Sequence, residues 1–282
     1  MSVIKADIYQ QITDTIVSAI EKGVGDFIMP WHRGGGEIPI NINSGNEYQG
    51  INILNLWVTE QTRGFNSSTW GTYRQWKEKE CQVRKGEKSS PIIFYKQLMY
   101  EDEQGEDQSR RLLKSYSVFN SDQVDGYTPP ETETIEPLQR LEHVDKAIQS
   151  TGATVLEGGD KAYYKPSTDT VHMPDSTRFI GDNACRTESY YAVLWHELGH
   201  WSGKTGRCSR DLSGRFGDEK YAMEELVAEL SSAYCCAKLG ISTEPRADHA
   251  CYIANWLEVL KQDKKAVFYA SARAQEAATY LL

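Results

Sequence analysis

The stretch Leu194-Trp-His-Glu-Leu-Gly-His-Trp201 holds the residue types best suited to chemistry, with His196, Glu197 and His200 in an H-E-x-x-H pattern. On a helix, residues four apart stand one turn above each other on the same face. Both imidazoles then reach one metal ion, and Glu197 beside them can take a proton from a water at that ion. Tyr191, Leu194, Leu198 and Trp201 recur at helical spacing, so the segment buries an apolar stripe while the histidines face a cleft. A chance match is on the order of one per cent in a chain of this length. The pattern predicts one metal ion per chain, Zn²⁺ first and another divalent ion second.

Such a site takes a third protein ligand, usually from a later helix. Tyr221-Ala-Met-Glu-Glu-Leu-Val-Ala-Glu-Leu230 is strongly helical and holds three carboxylates. Glu225 and Glu229 share a face, whereas Glu224 points about 100° away. Glu225 is the expected ligand, with Glu229 bonding the free nitrogen of a ligand histidine. Glu229 as the ligand itself is the alternative, and a solvated acidic face is disfavoured by Leu226, Ala228 and Leu230. A closed structural site would need a fourth protein ligand. Cys185, Cys208 and His249 are the spare candidates, and no spacing recommends them, so the site reads as open. For a peptide substrate, Tyr221 or Arg207 would face the developing oxyanion.

Two ordinary domains fit in 282 residues, and an apolar fraction of 39% spread throughout describes a globular chain. Six cysteines without a C-x-x-C pair, two of them adjacent (Cys235 and Cys236), point to a reducing cytoplasm. Asp7 and Asp14 interrupt the first apolar pattern, which argues against a signal peptide, and no run approaches the length of a membrane span. A formal net charge of −9 excludes blanket attraction to nucleic acid, so any such binding needs a local patch.

The chain opens with an amphipathic helix through Ile8, Ile12, Ile16 and Ile20 that ends near Gly23. A glycine-rich loop, a short strand over Pro39–Asn43 and a helix over Ile51–Thr62 follow. A third helix is expected to carry Trp70, Tyr73 and Trp76. After the basic turn at Val83–Lys88, Ile92–Tyr100 and Leu112–Phe119 read as a hairpin with an acidic tip. This half, residues 1–127, is an α+β domain. Residues 128–137 fall in a proline-rich acidic linker. The second domain, 138–282, reads as a helix, three short strands (154–156, 162–165, 170–173), the His196 helix, the Glu225 helix and two more helices. That order is the one expected of a minimal zincin.

Between Arg74 and Lys96 stand seven basic residues against three acidic ones, interleaved with Trp70, Tyr73, Trp76, Phe94 and Tyr95. Cations that track phosphates and rings that stack on bases are what a single strand requires. A solvated helix face and a core of aromatics account equally for the composition alone.

Taken together, the segments resemble the ArdC family of antirestriction proteins of conjugative plasmids, and the N-terminal region of TraC-type primases. The matching stretches in the first half are Pro30-Trp31, Pro39-Ile-Asn41, Tyr48-Gln-Gly-Ile-Asn52, Trp70-Gly-Thr-Tyr-Arg-Gln75, Val83-Arg-Lys-Gly-Glu-Lys88 and Val118-Phe-Asn120 with Gln123. In the second half they are Ala162-Tyr-Tyr164, Asp169 with His172-Met-Pro174, the H-E-L-G-H block with Trp201, and Tyr221 to Leu230. The resemblance implies a single-stranded-DNA-binding N-terminal domain and a zincin-like metalloprotease C-terminal domain that together protect incoming plasmid DNA from restriction. It also implies His196, His200 and Glu225 as metal ligands with Glu197 as general base. The strand ending at His172-Met173-Pro174 would be the edge beside which a peptide lies, with His172 itself structural. Trp31, Asn52, Trp70, Tyr73, Arg74, Arg84, Lys85 and Lys88 are the candidate DNA contacts. Two functions compete: a shield for single-stranded DNA with a peptidase-like module, and a working protease that DNA merely positions. A purely structural metal site is the third, weaker reading.

Overall fold

Ile12, Ile16 and Ile20 lie on one stripe of helix α1 (Ile8–Gly23) and are all but fully buried. The computed structural model describes residues 7–23, 37–101, 107–128, 137–175, 179, 183–214, 218–241 and 250–282. After strand β1 (Ile40–Asn41) comes helix α2 (Ile51–Arg63), which stops where Gly64 adopts the left-handed conformation at φ 70°. Only glycine takes that backbone without strain.

The expected helix through Trp70 is instead strand β2 (Thr69–Thr72) followed by a short helix α3 (Tyr73–Glu78). The reason is local. The Thr72 hydroxyl accepts from the Gln75 amide while the Gln75 side chain accepts from the Thr72 amide, a capping box that starts the helix only at Tyr73. Strand β3 (Gln82–Val83) leads to the hairpin of β4 (Ser90–Glu101) and β5 (Asp107–Asn120), and strand β6 (Val124–Asp125) pairs back on β3. The main sheet has the order β1-β2-β5-β4, with β1 parallel to β2 and the rest antiparallel. Trp76, Cys81, Val83 and Val124 form a satellite core against which Tyr127 packs, its ring 5.2 Å from that of Trp76. Most of the expected linker, 129–136, lies outside the described residues.

Helix α4 (Pro137–Ser150) opens the second half, followed by strands β7 (Thr154–Glu157), β8 (Tyr163–Lys165) and β9 (Thr170–Met173). These form a sheet in the order β7-β9-β8. The strand ending at Met173 is therefore central, parallel to β7 and antiparallel to β8. Its backbone groups are used on both sides, so it cannot be the edge that takes a peptide. That edge is β8. Helices α5 (Asn183–Ser202), α6 (Glu219–Leu239), α7 (Ala250–Gln262) and α8 (Ala266–Leu281) complete the chain.

The two halves share one apolar core, in which α1 packs against α7 and α2 against α8. Thr13 Oγ1 donates to the Lys264 carbonyl at 2.8 Å, and the Gly50 amide donates to Gln275 Oε1 at 3.0 Å. Each fully buried Ile or Leu in this core contributes roughly 1.5–3 kcal/mol through removal from water. No described helix is long and apolar enough to cross a membrane.

Candidate metal centre

Helices α5 and α6 cross at Gly199. A Cβ at that position would lie 3.1 Å from Cα of Ala228 and closer still to Ser231 Oγ. This close approach brings the H-E-x-x-H face against the carboxylates of α6. The ligand atoms of His196, His200 and Glu225 converge within 4.8 Å of one another. Glu225 bridges the two rings, with one oxygen 3.5 Å from His196 Nε2 and the other 3.5 Å from His200 Nε2. Donors bound to a tetrahedral ion at about 2.0–2.2 Å stand about 3.3–3.6 Å apart, so the spacing fits. The set of two imidazoles and one carboxylate also matches the open, three-ligand type of zinc site.

Each ring is oriented from behind. Glu229 stands 3.3 Å from His196 Nδ1. Glu224 stands 3.1 Å from His200 Nδ1, a role that sequence reasoning missed. With an ion bound, protons on Nδ1 directed at these carboxylates would leave both Nε2 lone pairs to face it. Glu224 is in turn held by Arg210, which also donates to the Gly199 carbonyl at 2.6 Å. Glu224, Glu225 and Glu229 of one helix thus approach both rings.

The electrostatics follow from burial. Burial pushes the Glu225 carboxyl up, yet the bonds from His196 and His200 outweigh it and hold the group far below the usual carboxylate range. Burial pushes His200 down, but Glu224 and Glu225 reverse this and raise the ring to about 10 in the metal-free protein. This is a pocket of concentrated negative charge that favours a cation.

A cleft of about 270 Å³ opens over these donors. Glu197 lines it beside His196 and His200, and Tyr221, Trp256, Leu212 and the β8 residues Tyr163 and Tyr164 form its walls. Arg207 is turned away: its guanidinium stacks over Trp201 at 3.7 Å and bonds to Asp169. His172 stacks on Tyr163 with ring centroids 4.5 Å apart and takes no part in the donor cluster. Cys208 is buried and also stands outside the cluster, while His249 and the side chain of Cys185 lie outside the described residues.

Comparison with known proteins covers both halves. Residues 6–119 match the family described as the N-terminal domain of anti-restriction factor ArdC, and residues 142–273 match the zincin-like metallopeptidase family. The crystal structure of the antirestriction ArdC protein from the R388 plasmid in its metal-free form is 38% identical, with a TM-score of 0.80 over 98% of this chain and 96% of that one. The chain belongs to the ArdC antirestriction family. The same plasmid protein has also been solved with Mn(II) bound, at a TM-score of 0.78 and 37% identity over 98% of this chain and 97% of that one. Protein y4eC of Sinorhizobium fredii (strain NBRC 101917 / NGR234) is 46% identical over 98% of this chain and 91% of its own length. DNA primase TraC of Escherichia coli is 33% identical over 100% of this chain but only 28% of its own length.

On the ArdC-type N-terminal domain, the expected DNA contacts divide sharply. Trp70 is fully buried and its Nε1 donates to Glu60 at 2.7 Å, so its ring cannot stack on a base. Asn52 is buried too: its side chain accepts from the Ile93 amide at 2.9 Å and donates to the Ile93 carbonyl at 2.8 Å. Those groups lie on the outer edge of β4, and with Asn55, which donates to the Pro91 carbonyl, Asn52 seals that edge. Both residues are structural, which corrects the expectation. Tyr73, Arg74, Lys85 and Lys88 are exposed. Arg84 is exposed, but its guanidinium is engaged with Glu87, Asp125 and the Asp122 carbonyl. Trp31 lies outside the described residues.

Proposed function

We propose that this ArdC-family chain binds single-stranded DNA through its N-terminal domain and protects incoming plasmid DNA from restriction, with a divalent metal ion, Zn²⁺ first, in its C-terminal cleft. The observation that carries the metal reading is the convergence of His196, His200 and Glu225 with Glu197 in the same cleft. Likeness over nearly the whole length to an antirestriction protein supports the biological role, and the Mn(II) form of that protein supports a divalent ion.

When bound, the ion would supply Lewis acidity toward a scissile carbonyl. Glu197 takes the proton of the attacking water and hands it to the leaving amine. Tyr221 lines the cleft wall and is the candidate donor to the oxyanion, whereas Arg207 is occupied elsewhere. The free edge of β8 can pair with an extended peptide along the cleft. Two buried carboxylates that orient the histidines are more than a structural relic needs, which keeps a working protease as the second reading.

The test compares wild type with Glu197→Ala in a recipient-cell restriction assay, with single-strand binding measured on both proteins. Equal binding and equal protection make shielding the function. Equal binding with lost protection makes proteolysis the function. Absence of single-strand binding in the wild type sinks the DNA reading.

A further inference from the structure

Phe94 and Tyr116 are exposed at 51% and 45%, although they extend a sheet face whose inner members, Ile92 and Val118, are buried. The register pairs Ile92 with Tyr116 and Phe94 with Lys114, so Phe94, Tyr116 and Lys114 share one face of the β4–β5 hairpin. The rings already touch edge to face, with centroids 5.8 Å apart and planes at 80°. Lys114 is exposed beside them. Two rings fixed against each other lose little freedom when a third flat group is added, and the cation directly across from Phe94 can meet the phosphate of that group.

We propose that Phe94, Tyr116 and Lys114 form a stacking platform for single-stranded nucleic acid, an assignment that rests on the single-strand reading above. A protein partner would require a broader apolar surface. The exposed neighbour on this face is Lys114, directly across from Phe94, so such a partner would meet two rings beside a cation. Rings for bases and an adjoining lysine for the backbone are the two parts that single-strand binding combines.

The platform is tested by fluorescence anisotropy of a fluorescein-labelled oligothymidylate with the full chain, titrated at several salt concentrations. A Phe94→Leu/Tyr116→Leu double variant keeps apolar bulk but removes both π-faces, and its affinity should fall at least about tenfold, within the range that base stacking commands. Its salt dependence should stay that of wild type, because no charge is lost. Lys114→Ala should instead reduce the salt slope by about one unit. Phe94→Trp should bind as tightly as wild type or more so. A folded double variant with wild-type affinity overturns the platform and leaves the rings to a protein partner. If the double variant does not fold, an unchanged salt slope in Lys114→Ala overturns it. A wild type with no affinity for the oligonucleotide overturns the underlying reading as well, and is distinguished by failing before any substitution is made.

Discussion

Glu224 stands 3.1 Å from Nδ1 of His200 while Arg210 donates to both of its oxygens, at 2.8 Å from Nη2 and 3.0 Å from Nε. The chain of Arg210, Glu224 and His200 therefore aims one proposed ligand from outside the ligand set. Outer partners of this kind are worth roughly 10–100-fold in metal affinity. Glu224→Gln should weaken Zn²⁺ binding by at least the lower figure, measured by competition with a chromophoric chelator. Arg210→Ala should act in the same direction. Wild-type affinity in both variants would show that His200 needs no such support.

Metal should also stabilise the fold, since the donors come from two helices that the ion would tie together. At a free concentration of about 100 times Kd, the expected gain is about 2.7 kcal/mol. Thermal unfolding with and without Zn²⁺ reads it directly. Glu225→Ala should abolish the shift, whereas Glu197→Ala should retain most of it because Glu197 is not in the donor set.

The crossing of α5 and α6 admits no side chain at position 199. Gly199→Ala should destabilise the protein by about 1–3 kcal/mol through overpacking. Because the same crossing sets the distance from the histidines to Glu225, metal affinity should fall in the variant that still folds. A fully stable Gly199→Ala with unchanged affinity would disprove the packing argument.

Glu60 offers a pH test remote from the metal centre. Burial pushes its carboxyl up to about 8, against the lowering effect of the bond from Trp70. The unfolded chain releases this proton near 4.5 and the folded chain near 8. Between those values the unfolded state binds fewer protons, so stability falls as pH rises. Glu60→Gln keeps an acceptor for Trp70 but cannot ionise. It should be more stable than wild type by up to about 4 kcal/mol at pH 8, with the gain gone by pH 4. Parallel denaturant titrations at the two pH values decide it.

Much of this architecture is legible in the residues themselves. The stripes Ile12-Ile16-Ile20 and Tyr191-Leu194-Leu198-Trp201 specify helices because helical period and burial coincide there. Trp70-Tyr73-Trp76 has the same three-residue spacing and misleads, since Trp70 belongs to a buried strand. The Thr72–Gln75 capping box, two residues in from it, is the local signal that marks the true helix start. Asn52 illustrates a different limit: a polar residue amid candidate DNA contacts turns out to bond a strand 41 positions away, and no local pattern announces such pairing. The order of β7, β9 and β8 is hidden for the same reason, because the parallel pairing of β7 with β9 joins strands that are not consecutive. Glu224 was visible as a carboxylate, but its role depends on Arg210, which enters from the loop before α6.

The contact between Thr13 and the carbonyl of Lys264 spans 251 positions of chain. During synthesis at about 5–20 residues per second, the apolar stripe of α1 therefore waits roughly 13–50 s for its partner α7 to emerge. Contacts this distant also slow folding, because loop closure must precede any reward. The nascent chain thus carries Ile12, Ile16 and Ile20 with only α2 to cover them through most of translation. Its yield in a cell will depend on chaperone capacity more than its native stability suggests, and a stop codon placed before α7 leaves a fragment whose first helix keeps α2 but lacks its second partner.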